Sequence, residues 1–461
     1  MPLGFRNTQG LESIDIEYDP TATESNPFRG FVPFIGEFME PDDFPHSMEF
    51  FYVPLKDLMN DFDSYTFGTG LEPNLDEIDG RDHQAIFRVF LDYPDTPTGI
   101  PDFLLDGLTL NTYTEFGGGQ SPDYTNETLI STLETFIGEL GTQYDGDTRI
   151  AFIQIGLLGF WGEWHTYPHE SWFPDVTIQN RILHAFDNAF NTTQILLRYP
   201  TADSPTLNMG FHDDSFAYET IGPDDWVFSN LLTDAGAQNR WQEFPIGGEI
   251  YPDIQTTMWE LIPPSEVQDF EQCVTSTHAS WMIYDEIFYG SFTAGEKNRA
   301  RDGALSLGYQ FTVKGISSNR DNNMLSINVT LENSGSAPFY YPLDAEFGVG
   351  EETSGLFNRV ETIQDINALP GETISIYIQI NLDDYFNSLE GDFDVILQLT
   401  SEMTDIPIYL AHENYLPGGA FVVCSTYPQD KDIPWSTGWF LAGLVSLISF
   451  ILLRTNRRRK R

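Results

Sequence analysis

Two carboxylates in this chain sit where a carboxylate is costly. Glu163 lies in GFWGEWH, directly after the apolar run IAFIQIGLL, with Trp161, Trp164 and His165 around it. Glu249 lies in GGEIYP, between Gly248 and Ile250. A carboxylate inside an apolar strand needs partners or a purpose. Paired carboxyls can cleave a glycosidic bond: one protonates the leaving oxygen while the other attacks or activates water. Aromatic neighbours serve that chemistry twice. Tryptophan faces stack on the apolar faces of sugar rings, and an aromatic surround raises the pKa of a nearby carboxyl, favouring the protonated acid. GFWGEWH therefore reads as a sugar subsite with a carboxyl in it. The bland alternatives are that Glu163 orients a loop lidded by the tryptophans, and that Glu249 forms a structural ion pair with Arg88 or Arg198.

Such residues need elements that converge. Between residues 26 and 302, eight short apolar runs read as strands: 28–34, 48–53, 85–91, 150–158, 194–198, 208–211, 247–250 and 280–284. Amphipathic stretches at 126–144 and 178–192 are the clearest helices between them. Strand–helix alternation over this length predicts an α/β fold, a (β/α)₈ barrel, in which the C-terminal ends of the strands share one mouth. The first connection is too short and Pro-rich for a helix. Strand ends then supply the candidates: Arg88, Asp92 and Tyr93 from the third, Trp161, Glu163, Trp164 and His165 from the fourth, and Arg198 and Tyr199 from the fifth. His212, Asp213 and Asp214 come from the sixth, Glu249 from the seventh, and Trp281, Tyr284 and Asp285 from the eighth. Glu163 is expected as acid/base and Glu249 as nucleophile. Trp161, Trp164, His165, Arg88, Asp92, Arg198, Tyr199, His212, Asp213, Trp281 and Tyr284 are expected to bind substrate. The long segment from Pro94 to Thr125 should overhang the mouth. From 303 to 428 the pattern changes to period two with turns such as NSGS and LPGG, which predicts an all-β sandwich.

Six stretches, NPFRGFVPF, IFRVFLDYP, GLLGFWGEWHT, GFHDDSF, GGEIYP and RDGALSLGYQF, occur in this order. Together they resemble a poorly characterised prokaryotic family of glycoside-hydrolase-like barrels with a C-terminal sandwich, which carries a domain-of-unknown-function label. The resemblance covers nearly all of 26–425 and implies a barrel and a carbohydrate-directed role, with no secure substrate. One departure bears on catalysis. Well-studied sugar-cleaving barrels carry Asn before the strand-4 glutamate, to bond the sugar 2-hydroxyl, whereas Gly162 stands here.

The net charge is −48, from 70 acidic and 22 basic residues. So negative a surface repels phosphates, which argues against a nucleic-acid partner. After an extension over 1–25, the barrel, the sandwich and a tether at 429–434, the apolar run at 435–453 predicts a transmembrane helix and RTNRRRKR at 454–461 a cytoplasmic tail. The body would then face outward, yet the N-terminal residues hold no apolar signal core. A cytosol-facing tail anchor is the alternative. No His-x-x-x-His spacing on a helix supports a metal, and no cofactor is expected. Cys273 and Cys424 pair only if exported; free buried thiols fit equally. The leading expectation is a surface-anchored glycoside hydrolase acting on an extracellular poly- or oligosaccharide. The rival is a non-catalytic carbohydrate-binding or adhesion protein on a degenerate barrel. Oligomeric state is not legible.

Overall fold

The computed structural model describes residues 16–37, 44–351, 356–385, 393–413, 415–416 and 418–425. The expected tether, membrane span and basic tail at 429–461 lie outside the described residues. Among the described residues, no helix is long and apolar enough to cross a membrane.

Eight parallel strands form one sheet: β1 (Gly30–Val32), β2 (Met48–Pro54), β3 (Gln84–Phe90), β4 (Ile150–Gln154), β5 (Ile195–Leu197), β6 (Gly210–Phe216), β7 (Ile246–Ile250) and β8 (Trp281–Ile283). Neighbours in the sheet follow chain order, with β1 beside β8. The ring closes where β1 runs on to meet β2: Ile35 N–H donates to Phe50 O at 2.8 Å and Phe50 N–H to Pro33 O at 2.9 Å. All eight apolar runs of the sequence are therefore barrel strands. They read as unbroken apolar runs because both faces are covered, one by the barrel interior and one by helices.

Helices α1 (Glu72–Asp79), α2 (Glu127–Tyr144), α3 (Val176–Ala189), α4 (Phe228–Asp234), α5 (Phe270–Thr277) and α6 (Ala294–Ser306) pack around the strands. Their starts are written locally. The Asn126 side chain caps α2 at Leu129 N, Asp175 caps α3 at Thr177 N and Ile178 N, and Thr293 with Glu296 closes a capping box on α6. In α2, Leu129, Leu133, Phe136, Ile137 and Leu140 recur at helical spacing and are fully buried against the strands. The connection after β5 carries only a short 3₁₀ turn, Ser204–Thr206. The barrel is thus irregular in its helix layer while its sheet is complete.

The second domain is two antiparallel sheets. One orders β9 (Phe311–Asp321), β10 (Met324–Asn333) and β13 (Thr373–Asn381) with β10 central. The other runs β12 (Leu356–Ile363), β11 (Asp344–Glu351), β14 (Asp394–Thr400), β16 (Ala420–Ser425), β15 (Tyr415–Leu416). Along β10, buried and half-buried residues alternate, as a strand with one face on a core requires. This core continues into the N-terminal end of the barrel. Phe28, Phe152 and Trp281 join Phe339 and Tyr341 in a single cluster. Trp281 stacks on Phe152 with ring centres 5.6 Å apart, and the Tyr341 hydroxyl donates to Ala151 O at 2.6 Å. The sandwich therefore plugs the bottom of the barrel and leaves the C-terminal mouth as its working end.

Candidate active site

The segment after β4 is the most contorted in the barrel. Leu157 (φ 70°), Gly159 (81°), Trp161 (53°), Gly162 (72°) and Trp164 (60°) all occupy the left-handed region. Bulky residues there cost about 1–2 kcal/mol each, and persist where the surroundings over-determine them. Four hydrogen bonds do so: Gly159 N–H to the Tyr124 hydroxyl (2.8 Å), Phe160 N–H to His165 O (2.8 Å), Glu163 N–H to Phe160 O (2.8 Å) and Trp164 N–H to Leu158 O (3.0 Å). The turn delivers the Glu163 carboxylate to Arg88. It also explains the glycine before Glu163. A Cβ at 162 would lie 3.2 Å from Val89 O and 3.3 Å from the Arg88 side chain, on a backbone that L-residues avoid.

Arg88, fully buried on β3, organises the mouth. Its Nη1 donates to Glu163 Oε1 at 3.1 Å and its Nη2 to Asp214 Oδ2 at 2.6 Å. Asp214 in turn accepts from His212 Nδ1 at 2.7 Å. Burial works against the Asp214 charge, but Arg88, His212 and Arg198 hold its carboxyl well below the usual range. Burial lowers His212 to about 4 despite Asp214. The imidazole is neutral at physiological pH, and its Nδ1 carries the proton given to Asp214. The second oxygen of Glu163 meets His165 Nε2 at 3.4 Å.

Glu249 is treated differently. It projects from β7 toward the same mouth, because Gly247 leaves room for the Trp281 ring and Gly248 (φ 148°) passes where a Cβ would lie 2.1 Å from Asp213 O. It has no hydrogen-bond or ion-pair partner among the described residues. Burial, then the Asp214 and Glu163 carboxylates, push its carboxyl well above the usual range, against the pull of Arg88. The mouth thus holds Asp214 with its carboxyl pulled down, Glu163 tied to Arg88, and Glu249 with its carboxyl pushed up.

An aromatic wall runs around Glu163. Tyr52 meets Tyr93 (5.1 Å between ring centres), Tyr93 meets Trp161 (6.5 Å), Trp161 meets His165 (5.9 Å), and His165 meets Tyr199 (6.3 Å). The Pro94–Thr125 segment adds to it. It folds into a hairpin, Leu110–Tyr113 with Gly119–Pro122, whose tip brings Phe116 to 5.1 Å from Trp161.

Several expected substrate contacts lie elsewhere. Trp164 is buried in the helix-side core, its Nε1 bonded to Gly156 O at 3.2 Å, because the left-handed turn at Trp164 points it away from the mouth. Trp281 is in the plug at the barrel bottom, since it opens β8 rather than ending it. Tyr284 faces the helix side and donates to Gln255 O at 2.7 Å. Asp213 faces outward and accepts from Thr220 Oγ1 at 2.8 Å and Ser215 N at 3.1 Å. Asp92 is buried and takes the Tyr113 hydroxyl at 2.7 Å, so it anchors the hairpin. Glu163, Glu249, Arg88, His165, Arg198, Tyr199, Trp161 and His212 do surround the mouth. The sequence reading passed over Tyr52. Its signal was the alternation Met48, Phe50, Tyr52, which points inward along β2.

Among the described residues one group brings three side chains of metal-ligating type together, His46, Glu49 and His83, with ligand atoms within 4.8 Å of one another. Arg81 already holds both oxygens of Glu49, at 2.8 and 2.6 Å, and its charge opposes a cation there. This group is on the outer side of β2, apart from the mouth.

No protein-family model matches the chain, and no curated protein matches it. The resemblance to a family of glycoside-hydrolase-like barrels therefore stands on its sequence motifs. Among solved structures, the chain is similar to endo-glycoceramidase II from Rhodococcus sp., in a complex with a cellobiose-like imidazole, with TM-score 0.40, 10% identity, and 76% of this chain and 98% of that one covered. It is also similar to a GH5_18 protein from Bifidobacterium longum subsp. longum in complex with Manb1-4GlcNAc (TM-score 0.36, 11% identity, 61% and 78% covered). A third is a protein described as a glycoside hydrolase (0.35, 9%, 61% and 98%). Likenesses this slight carry no chemistry to this chain, which rests on the geometry above.

Proposed function

We propose that the chain is a glycoside hydrolase acting on a poly- or oligosaccharide, with Glu163 and Glu249 as its catalytic pair. The observation that carries this reading is the mouth itself: carboxyls delivered after β4 and from β7 belong to one aromatic-walled opening, Glu163 tied to a buried arginine and Glu249 with no donor among the described residues and its carboxyl pushed upward. Glu163 is the acid/base and Glu249 the nucleophile. Before sugar binds, the shared proton rests on Glu249, whose carboxyl is pushed upward and has no donor among the described residues. A bound sugar supplies Glu249 with hydroxyl donors and brings the glycosidic oxygen to Glu163, so the proton shifts to Glu163. Glu163 then protonates the leaving oxygen as Glu249 attacks the anomeric carbon. Water, deprotonated by Glu163, releases the sugar from Glu249. The reading extends to attachment at the cell surface, supported by the uncharged run from Trp439 to Leu453 followed by the basic tail.

The test is turnover of a panel of 4-nitrophenyl glycosides and soluble polysaccharides by the full chain, recovered from the membrane fraction. Glu163→Gln and Glu249→Gln should each lose roughly 10³-fold or more in kcat while the fold and sugar affinity remain. A rival reading draws on Gly162, which leaves the strand-4 glutamate without the usual neighbouring amide: a carbohydrate-binding protein without catalysis. Sugar binding with no turnover by the unaltered chain would favour that rival.

A further inference from the structure

Arg198 ends β5 beside the mouth and is 6% exposed. Its donors are engaged only at long range. Nη2 lies 3.4 Å from Ser215 Oγ, its closest polar contact among the described residues, and Nε has no hydrogen-bond partner. Asp213 and Asp214 balance its charge only from 3.5 and 4.0 Å. The other buried arginines show what satisfaction looks like. Arg29 donates to Leu307 O at 2.9 Å, Leu305 O at 2.8 Å and Thr23 Oγ1 at 2.8 Å, besides longer bonds. Arg88 leaves its Nε unpartnered as well but spends both Nη groups on carboxylates, Asp214 and Glu163, at 2.6 and 3.1 Å. A guanidinium has five N–H donors, and leaving buried donors unmet is costly enough that most native sites avoid it. Arg198 is held open all the same. Its plane rests on the Tyr199 ring, 4.4 Å from the ring centre, and Tyr199 meets His165 edge-on, the residue that touches Glu163.

What would meet these donors is set by the surrounding charge. An anion would face Asp213, Asp214 and Glu163 at close range. A neutral oxygen would not, and a charged donor to a neutral hydroxyl is a strong, directional contact. The usual donor beside the strand-4 glutamate is missing here, and the left-handed backbone at Gly162 together with the tight approach of Val89 O and the Arg88 stem disfavours a side chain in that place. We propose that Arg198 is the specificity-determining donor of this mouth, binding the sugar hydroxyl next to the bond that is cleaved, the 2-hydroxyl, in place of a side chain at position 162.

This rests on the hydrolase reading and deepens it. The test compares the unaltered protein with Arg198→Met and Arg198→Lys. The substrates are the fastest-cleaved 4-nitrophenyl glycoside of the panel and its 2-deoxy and 4-deoxy counterparts. Removing the 2-hydroxyl should cost the unaltered protein roughly 100-fold in kcat/KM, the scale of a hydrogen bond to a charged group. Arg198→Met should cleave the parent glycoside roughly 100-fold more slowly and the 2-deoxy form no more slowly than the unaltered protein does, so that the discrimination disappears. The 4-deoxy ratio should be the same in both proteins. Arg198→Lys keeps the charge facing Asp213 and Asp214 without the planar fork, so it should fold and still lose most of the discrimination. If both variants lower parent and 2-deoxy rates alike, Arg198 is structural and the assignment is overturned while the hydrolase reading stands. If nothing in the panel turns over, the hydrolase reading fails on its own. Arg198 is then judged by melting-temperature shifts with methyl glycosides and their 2-deoxy forms. Stabilisation of the unaltered protein by the parent sugar, and not by its 2-deoxy form, supports the assignment; equal response to both overturns it.

Discussion

Asp214 and Glu163 share Arg88 between them, and Glu249 is left to face both without a donor. A carboxyl raised in the folded state stabilises the fold in its protonated form. That contribution is complete below the ordinary carboxylate value and is lost as pH rises through the raised one. Glu249→Gln mimics the protonated form at every pH. It should melt with the unaltered protein near pH 4 and roughly 1–3 °C above it at pH 8, read by thermal unfolding across that range. Activity should fall over the same range. The proton that Glu249 holds is the one Glu163 later donates, so kcat/KM should fall as pH rises through a value well above 4.5. A Tm difference that is flat with pH would show that Glu249 carries no buried charge cost. At this scale the sequence exposed residues out of character with their strands, and Arg88 does meet Glu163. It could not tell which way a tryptophan points. Trp161 and Trp164 flank the same glutamate, and only the backbone turns at each send one to the mouth and the other to the core.

The elements divide by how they are stabilised. Each barrel strand is an apolar run because it is buried on both faces, and that is why all eight are visible in the sequence. The hairpin at 110–122 is not, because LNTYTEFGGGQSP is polar and glycine-rich and has no core of its own. It holds its place through tertiary contacts: Tyr113 stacks on Phe160 at 4.4 Å and its hydroxyl donates to Asp92. Burial lifts Asp92 to about 6, and the Tyr113 bond restrains that rise. Tyr113→Phe keeps the stacking and removes the one donor to Asp92 among the described residues, whose other oxygen is already buried and unpaired. The expected cost is about 1–2 kcal/mol, with faster proteolytic cutting between 94 and 125 and little change in the rest of the chain. Since Phe116 at the hairpin tip touches Trp161, KM for long substrates should rise more than KM for aryl monoglycosides. Unchanged cutting would mean that stacking alone seats the hairpin.

For the whole molecule, 70 acidic residues against 22 basic ones set the balance of forces. The described arginines are heavily used. Arg149 contacts Glu72, Asp76 and Asp147; Arg181 contacts Glu127 and Glu134; Arg81 contacts Glu49 and Glu77. Salt acts on two opposed terms. It weakens the exposed ones among these pairs, each worth about 0–1 kcal/mol, and it relieves repulsion among the excess carboxylates. Pairs are few and short-ranged, whereas repulsion from a net charge of −48 sums over the surface. Screening shortens its reach from about 10 Å at 0.1 M to about 3 Å at 1 M. Repulsion should therefore win, and Tm should rise from 0.05 M to 1 M sodium chloride. The joint between the domains sharpens the expectation. The sandwich grips the barrel through an apolar plug, with Phe28, Phe152, Trp281, Phe339 and Tyr341 at its centre, and burial of that kind does not weaken in salt. Calorimetry should show the barrel and sandwich unfolding together at high salt, because neither can expose the plug alone without losing its core. If Tm falls with salt, the arginine networks outweigh the repulsion, and the acidic surface is a tolerated feature of the fold rather than its main electrostatic load.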